Sequence, residues 1–262
     1  MAACQAAPRG LGVQLAHNPA WQQGQAVVAG APVAYAWRAG PGPWRVYVEG
    51  DGNAFTAQGR PSLNPTPFQP VGLQLAQNDT STAPVLYLGR PCQWVSPTAL
   101  CTPPVWTTQR FTASVQADYA KLVAQLTGGQ VERLVGFSGG AWVAYGVAQQ
   151  LPQVPVVVTV AGNLNPNLIN RHHRVPALEV APWPTPRRDL SLTMLWGAKD
   201  TTIPAPLAAR MAAETVAGCR HTQVVPGTTH VKGWAAWWAT HSATVGAPCG
   251  DFPASRLQGG AE

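Results

Sequence analysis

The serine in Gly-Phe-Ser-Gly-Gly at residues 136–140 has the sequence context of a nucleophile. This segment satisfies G-x-S-x-G, and it joins the apolar run Arg133–Phe137 to the helical pattern Ala141–Leu151. A sharp turn from strand to helix lifts the serine hydroxyl above a sheet, and the glycines let the backbone pass closely. The amino terminus of the following helix also favours negative charge, which suits a developing oxyanion. Glycine-rich turns are common in a chain with 26 glycines, so the context rather than the motif alone predicts that Ser138 is a nucleophile.

A nucleophilic serine needs a base, and His230 is the histidine best placed to serve as one. It lies in the loop after the apolar run Thr222–Val225, and catalytic groups of open α/β sheets gather at the carboxyl ends of strands. The other histidines are His17 ahead of the sheet, His172 and His173 in a proline-rich insertion, His221 at a strand start and His241 late in the last helix. This elimination predicts His230 as the base.

The base needs a carboxylate that orients it, and Asp200 is the candidate. Of the six aspartates, it alone closes an apolar run, Leu190–Trp196, between Ser138 and His230. The alternative is an ordinary helix N-cap ahead of Pro204.

Seven apolar, β-rich runs alternate with helical patterns along the chain. The runs are Val33–Arg38, Trp44–Glu49, Pro84–Leu88, Arg133–Phe137, Pro155–Val160, Leu190–Trp196 and Thr222–Val225. The helical patterns are Thr107–Thr127, Ala141–Leu151, Pro204–Val216 and Val231–Thr240. This alternation predicts an α/β fold with a mostly parallel central sheet flanked by helices. Residues 39–43 are too few for a crossover helix, so the first two runs are expected to pair as an antiparallel hairpin.

The chain is expected to form one domain at residues 21–262, preceded by a tail at residues 1–20, because no repeat or linker divides it. Residues 164–189 interrupt the alternation as a short proline-rich lid, whose prolines favour a fixed shape. Its four arginines either favour an acidic substrate or are solvated surface charge; they are Arg171, Arg174, Arg187 and Arg188.

Composition excludes several classes of protein. Charged residues make up only 11% of the chain, against about 25% in typical soluble proteins. Hydrophobic residues reach 46% and there are 11 tryptophans, so the chain is not disordered. The net charge of +6 is scattered rather than clustered, which argues against nucleic acid as a partner. No apolar run approaches the roughly 18 residues of a membrane span.

Four of the five cysteines are candidates for disulfide bridges. Cys92 with Cys101 and Cys219 with Cys249 are the pairings nearest in sequence, and each would stabilise the fold by about 2–4 kcal/mol. The alternative is four unpaired buried thiols. No C-x-x-C pair points to zinc or redox chemistry. Bridges together with scarce charge favour an extracytoplasmic protein.

The fifth cysteine suggests a lipid anchor. Residues 1–5, with Cys4 after two alanines, resemble the end of a bacterial lipoprotein signal peptide, although Met1 stands where leucine is usual. The charged and apolar segments of such a peptide are missing here. We expect a periplasmic or cell-envelope protein attached to the membrane only through a lipidated Cys4. The alternative is an unmodified cysteine on a frayed terminus.

Five segments together resemble the α/β-hydrolases, with a match from about residue 33 to residue 241. They are Tyr47–Gly52, Gly89–Gln93, Gly136–Gly140, Val160–Asn163 and Gly227–His230. The order Ser138, Asp200, His230 is the order of the catalytic triad in that family. The chain looks most like small extracytoplasmic bacterial serine hydrolases, some of them lipoproteins.

The resemblance implies two oxyanion donors, the backbone N–H groups of Asp51 and Gly139. The usual His-Gly at the first position is replaced by Glu49-Gly50, so Gly52 is an alternative to Asp51, and the two acids could instead serve loop hydrogen bonding. The implied activity is cleavage of a small-molecule or lipid-like carboxylic ester through an acyl-enzyme, without cofactor or metal. Amide cleavage, acyl transfer and a non-catalytic binding role on the same fold remain alternatives.

Overall fold

The computed structural model describes residues 10–16, 18–96, 98–182, 185 and 187–250, and these ranges contain an eight-stranded sheet flanked by helices. The strands are β1 Trp21–Val28, β2 Ala31–Arg38, β3 Trp44–Val48, β4 Val85–Leu88, β5 Val131–Phe137, β6 Val156–Val160, β7 Ser191–Gly197 and β8 Cys219–Val225. The helices are α1 Leu11–Leu15, α2 Val71–Gln77, α3 Pro103–Trp106, α4 Ala113–Thr127, α5 Gly140–Gln150, α6 Pro166–His173, α7 Ala205–Glu214 and α8 Trp234–His241.

The sheet order is β1-β2-β4-β3-β5-β6-β7-β8. The six strands from β4 to β8 in this order are parallel, whereas β1 and β2 are antiparallel to their neighbours. The prediction of a mostly parallel α/β sheet is therefore confirmed.

The predicted hairpin between residues 33–38 and 44–49 is wrong, because β4 lies between β2 and β3. The strand that forms a hairpin with β2 is β1, whose polar, glutamine-rich sequence hid it. Two strand spacings are about 10 Å, a gap that the five residues 39–43 cross easily without a helix. They pass so close to the start of β4 that a Cβ on Gly40 would lie 2.3 Å from the carbonyl oxygen of Thr82.

Successive side chains of a strand point to opposite faces of the sheet, so the hydrophobic core is divided between the two faces. In β3, Val46 and Val48 belong to the cluster that includes α4 and α5, whereas Tyr47 belongs to the cluster that includes α2 and α8. Both kinds of residue are almost completely buried. The central strands are thus held on both faces, which makes their carboxyl ends a rigid support for loops.

Helix α4 begins six residues later than the predicted start at Thr107. Phe111, which the periodicity assigned to the helix, instead pairs with Val180 in an isolated bridge. Thr112 is extended, and the helix ends at Thr127, followed by Gly128 in a left-handed conformation with φ +60°.

The cysteines pair as expected. Cys92 bonds to Cys101 in the loop after β4, and Cys219 at the start of β8 bonds to Cys249 beyond α8. Two disulfides are typical of proteins from oxidising compartments. Cys4 lies outside the described residues. Within the described ranges, no helix is long and apolar enough to cross a membrane.

The region predicted as a tail and the region predicted as a lid both contain a helix. In the first, α1 buries Leu11 and Leu15. In the second, α6 buries Leu168 and Ile169, and Val180 beyond it pairs with Phe111 in an isolated bridge.

Candidate active site

Ser138 occupies the turn between β5 and α5 with φ +47°. A left-handed conformation costs a residue other than glycine about 1–2 kcal/mol, so the surrounding backbone must hold it. The N–H of Ser138 donates to the carbonyl of Val160 at 3.0 Å. Its carbonyl accepts the N–H groups of Ala141 and Asn163 at 3.0 and 2.9 Å. These bonds keep the hydroxyl above the carboxyl end of the sheet.

The glycines around Ser138 are required by close packing. A Cβ on Gly139 would lie 2.0 Å from a carboxylate oxygen of Asp51. A Cβ on Gly140 would lie 2.4 Å from the carbonyl oxygens of Val48 and Glu49. The loop after β3 therefore packs directly on the start of α5.

The structure brings Ser138, His230 and Asp200 into one chain of hydrogen bonds. Nε2 of His230 is 3.0 Å from Oγ of Ser138, and Nδ1 is 2.9 Å from Oδ2 of Asp200. The Asp200 side chain is completely buried, whereas His230 is 16% exposed. The N–H groups of Thr202 and Ile203 donate to Oδ1 of Asp200 at 2.8 and 2.9 Å, which leaves Oδ2 for the imidazole.

Asp200 is not the N-cap of α7. That helix begins at Ala205, and Pro204 is its capping residue. The carboxylate instead closes the turn ahead of the helix and is hydrogen-bonded to His230.

Backbone hydrogen bonds join the loop of Asp200 to the loop of His230. The N–H of Lys199 donates to the carbonyl of Thr228 at 2.9 Å. The indole N–H of the fully buried Trp234 donates to the carbonyls of Thr229 and His230 at 2.8 and 3.1 Å. Helical spacing in the sequence does not reveal this bond from Trp234 to the preceding loop.

The candidate oxyanion donors lie beside Ser138. The N–H groups of Asp51, Gly52 and Gly139 make no hydrogen bond to any described residue. The N–H of Gly50 is already occupied by Oε1 of Glu49 at 2.9 Å. The structure therefore keeps both Asp51 and Gly52 as candidates for the donor opposite Gly139.

Glu49 and Asp51 have separate partners. Glu49 is 1% exposed and accepts bonds from the N–H groups of Gly72 and Leu73 at the start of α2 and from the Tyr87 hydroxyl. Burial raises the pKa of Glu49, and its backbone and hydroxyl donors offset that rise only in part. Glu49 thus makes loop hydrogen bonds, which was the alternative considered for both acids. Asp51 instead pairs with Arg90 and Arg110.

A cleft of about 690 Å³ opens above Ser138. One wall is the loop at residues 51–69, in which Phe68 is 86% exposed. The opposite wall includes Ile169 and His173 of α6, and Nε2 of His173 is 2.7 Å from the carbonyl oxygen of Thr202. Sequence reasoning missed the first wall, because residues 51–69 show neither helical nor strand periodicity.

The arginines at the end of the insertion lie away from the cleft. Arg187 donates to the carbonyls of Ala148, Leu151, Val154 and Pro152 at the end of α5, and it pairs with Asp189. Arg187 therefore caps α5 and is not available to an acidic substrate. Arg188 lies beside it, three residues before the amino end of β7.

Across the described part of the chain, no three His, Cys, Asp or Glu side chains cluster as metal ligands.

Neither a family model nor a curated protein matches this chain, but solved structures do. An α/β serine hydrolase homologue from Coxiella burnetii is 12% identical and covers 84% of this chain and 94% of its own, with a TM-score of 0.51. The esterase domain of a Rhodothermus marinus protein is 13% identical over 84% and 94%, with a TM-score of 0.55. An α/β serine hydrolase without a lid from Xanthomonas campestris is 12% identical over 86% and 93%, with a TM-score of 0.55.

The chain has the α/β-hydrolase fold. Within this α/β-hydrolase fold, Ser138, Asp200 and His230 follow β5, β7 and β8 respectively. All three lie at the carboxyl edge of the sheet, where ligands of open α/β sheets bind.

Proposed function

We propose that the protein is a serine hydrolase that cleaves carboxylic esters through an acyl-enzyme on Ser138. The observation that carries this proposal is the hydrogen-bonded chain from Ser138 Oγ through His230 to Asp200, with distances of 3.0 and 2.9 Å. A serine becomes nucleophilic when an oriented base is within hydrogen-bond reach. The strained turn at Ser138 supports the proposal, because strain of this kind concentrates at functional sites.

The geometry supports a two-step reaction. Nε2 of His230 accepts the Ser138 proton while Oγ attacks the ester carbonyl, and Asp200 stabilises the imidazolium that forms. The imidazolium then protonates the leaving alcohol, which leaves an acyl group on Ser138. In the second step His230 deprotonates a water that attacks the acyl carbon; the bond to Oγ breaks, the imidazolium returns its proton to Ser138 and the acid leaves. The N–H of Gly139 and that of Asp51 or Gly52 bind the oxyanion in both steps, and one such donor is worth about 3–4 kcal/mol.

The cleft favours esters with an apolar part. Its lining includes Phe55, Phe68, Phe137 and Ile169, and its size is that of a site for a small molecule. A series of p-nitrophenyl esters of increasing acyl length tests this specificity, and we expect kcat/KM to rise from acetate to medium chains.

A fluorophosphonate probe tests the proposed activity directly. We expect it to label the wild type but not Ser138→Ala, and we expect the wild type to hydrolyse p-nitrophenyl esters. Faster cleavage of the matching anilide would favour amide hydrolysis instead. Wild type that is neither labelled nor active would favour a non-catalytic binding protein on the same fold.

We also propose that the protein belongs to the bacterial cell envelope and is anchored through Cys4. The two disulfides and the sequence around Cys4 support this location. Mass spectrometry of the protein from its natural cells is expected to find a diacylglyceryl group on Cys4 as the first residue. An unmodified Cys4 within a longer peptide would contradict the anchor.

A further inference from the structure

Asp51 is held between two buried arginines. Arg90 Nη1 is 3.2 Å from its Oδ1, and Arg110 Nε is 2.8 Å from its Oδ2. The arginine side chains are 3% and 8% exposed, whereas that of Asp51 is 21% exposed and lines the cleft. Because its carboxylate lies against Gly139, an unpaired Asp51 would repel an oxyanion at this site. The two guanidinium groups turn this repulsion into attraction, because the three side chains together carry one net positive charge.

Both arginines are held by the segment around Arg110. Nη2 of Arg90 donates to the carbonyl of Arg110 at 2.6 Å. Arg110 donates to the carbonyl of Thr107, and its guanidinium lies 4.8 Å from the ring centre of Phe111. Each guanidinium thus bonds to a backbone carbonyl as well as to Asp51, so the arginines position the Asp51 carboxylate as well as neutralise it.

Gln93 holds the same loop at a second point. Its Nε2 donates to the carbonyl of Gly50 at 3.0 Å, and its Oε1 accepts the N–H of Arg90 at 3.0 Å. The peptide between Gly50 and Asp51 is thus restrained on both sides. This peptide carries the N–H of Asp51 and the next one carries that of Gly52, and these are the candidate oxyanion donors.

The Cys92–Cys101 bridge joins the two segments that supply these contacts. Arg90 and Gln93 flank Cys92, and Arg110 lies nine residues after Cys101. Cys92 and Trp94 have φ +66° and +65°. This backbone is strained, since each such residue costs about 1–2 kcal/mol, and it needs an anchor to keep its shape.

We propose that Asp51, Arg90, Arg110 and Gln93 form a clamp that positions the oxyanion donors, and that the Cys92–Cys101 bridge anchors it. The proposal deepens the proposed ester hydrolysis and rests on it. The side chains of the four clamp residues only position, because they act through the backbone N–H groups of residues 51 and 52. The bridge accordingly serves catalysis, whereas the Cys219–Cys249 bridge, at the opposite end of the sheet, serves stability alone.

Paired bridge variants test the proposal, with Cys92→Ser/Cys101→Ser as the test and Cys219→Ser/Cys249→Ser as the matched control. Each is assayed at a temperature at which circular dichroism finds it folded. We expect the first variant to lose about 10²-fold in kcat, the cost of a misplaced catalytic group, with KM within threefold of the wild type. We expect the control to melt at a lower temperature with kcat unchanged. Equal kcat losses in the two variants, or a first variant that changes only in melting temperature or KM, would overturn the proposal.

Arg90 variants address the clamp itself, because Arg90 does not line the cleft. Arg90→Met is expected to lower kcat about 10²-fold, and Arg90→Lys, which retains the charge, to recover part of the loss. Hydrogen–deuterium exchange of a peptide covering residues 49–53 gives a readout independent of activity. Exchange should rise in Arg90→Met and in the first bridge variant but not in the control. If the wild type hydrolyses no ester, the proposed function fails and exchange alone decides: unchanged exchange in both would overturn the clamp.

Discussion

Two buried clusters of charge lie at opposite ends of β3. At the amino end, Arg45 pairs with Asp79 at 3.1 Å and with Glu132 at 2.9 Å. At the carboxyl end, just beyond the strand, Asp51 pairs with Arg90 and Arg110. Both clusters place an aspartate against arginine inside the protein, so their chemistry is alike.

The clusters differ in whether they border a cavity. The Asp79 side chain is completely buried and also accepts bonds from Ser81 and the Tyr47 hydroxyl. Arg45 reaches the carbonyl of Ser242, so the amino-end cluster braces β3 against the end of α8. At the other end, Asp51 faces the cleft and adjoins free N–H groups. If the proposed clamp is right, aspartate–arginine pairs serve stability where they are closed and catalysis where they border a cavity.

The largest effect is expected at the carboxyl edge of the sheet that Asp51 shares with the candidate triad, where Asp200 follows β7. Asp200→Asn keeps an oxygen for the N–H groups of Thr202 and Ile203 but presents an amide donor to His230, which favours the wrong imidazole tautomer. We expect kcat for ester hydrolysis to fall about 10⁴-fold with little change in melting temperature. A fall of less than tenfold would break the proposed role of Asp200.

At the amino end, Asp79→Asn is expected to do the reverse. Removal of one charge from a buried pair leaves Arg45 poorly compensated, and we expect the free energy of unfolding to fall by about 3–5 kcal/mol. Urea denaturation measures this loss, and kcat under folding conditions should match that of the wild type. A variant with lower kcat and unchanged stability would erase the contrast between the two ends.

We expect Arg187 in the insertion to serve stability alone, like the cluster at the amino end of β3. Arg187→Met removes donors from four carbonyls at the end of α5, and we expect the free energy of unfolding to fall by about 2 kcal/mol. Arg188→Met is the matched control, since that side chain is exposed, and it should change stability by less than about 0.5 kcal/mol. A selective rise in KM for acidic esters in Arg187→Met would instead indicate that Arg187 binds the substrate.

Acid should weaken the amino-end cluster. Burial tends to raise the pKa of Asp79, but hydrogen bonds from Ser81 and Tyr47 and the charge of Arg45 outweigh it, so the pKa lies below its ordinary value. The carboxylate therefore stabilises the fold above about pH 4, and this contribution is lost as pH falls through the folded pKa. The stability difference between wild type and Asp79→Asn should narrow below pH 4. A difference that stays constant from pH 7 to pH 2 would contradict the assignment.

The sequence predicted what depends on local pattern. Ser138 and Asp200 each follow an apolar strand, and His230 follows the run Thr222–Val225 at the end of β8, so strand ends and chain order were enough to select them. The predicted hairpin was wrong because the length of a loop does not show which strands are neighbours in the sheet. The strand between β2 and β3 is β4, which lies much later in the sequence, at Val85–Leu88. The clamp could not be foreseen, since Arg90 and Arg110 lie 39 and 59 residues from Asp51 and only the folded chain brings them together.

The most direct test of the central claim is to find the acyl group. A rapid acid quench of the wild type during turnover of a p-nitrophenyl ester, followed by peptide mass spectrometry, should place one acyl group on Ser138. The acylated peptide should be absent from Ser138→Ala, which should also lose hydrolysis. Acylation of another residue, or undiminished hydrolysis by Ser138→Ala, would contradict the assignment of Ser138 as the nucleophile.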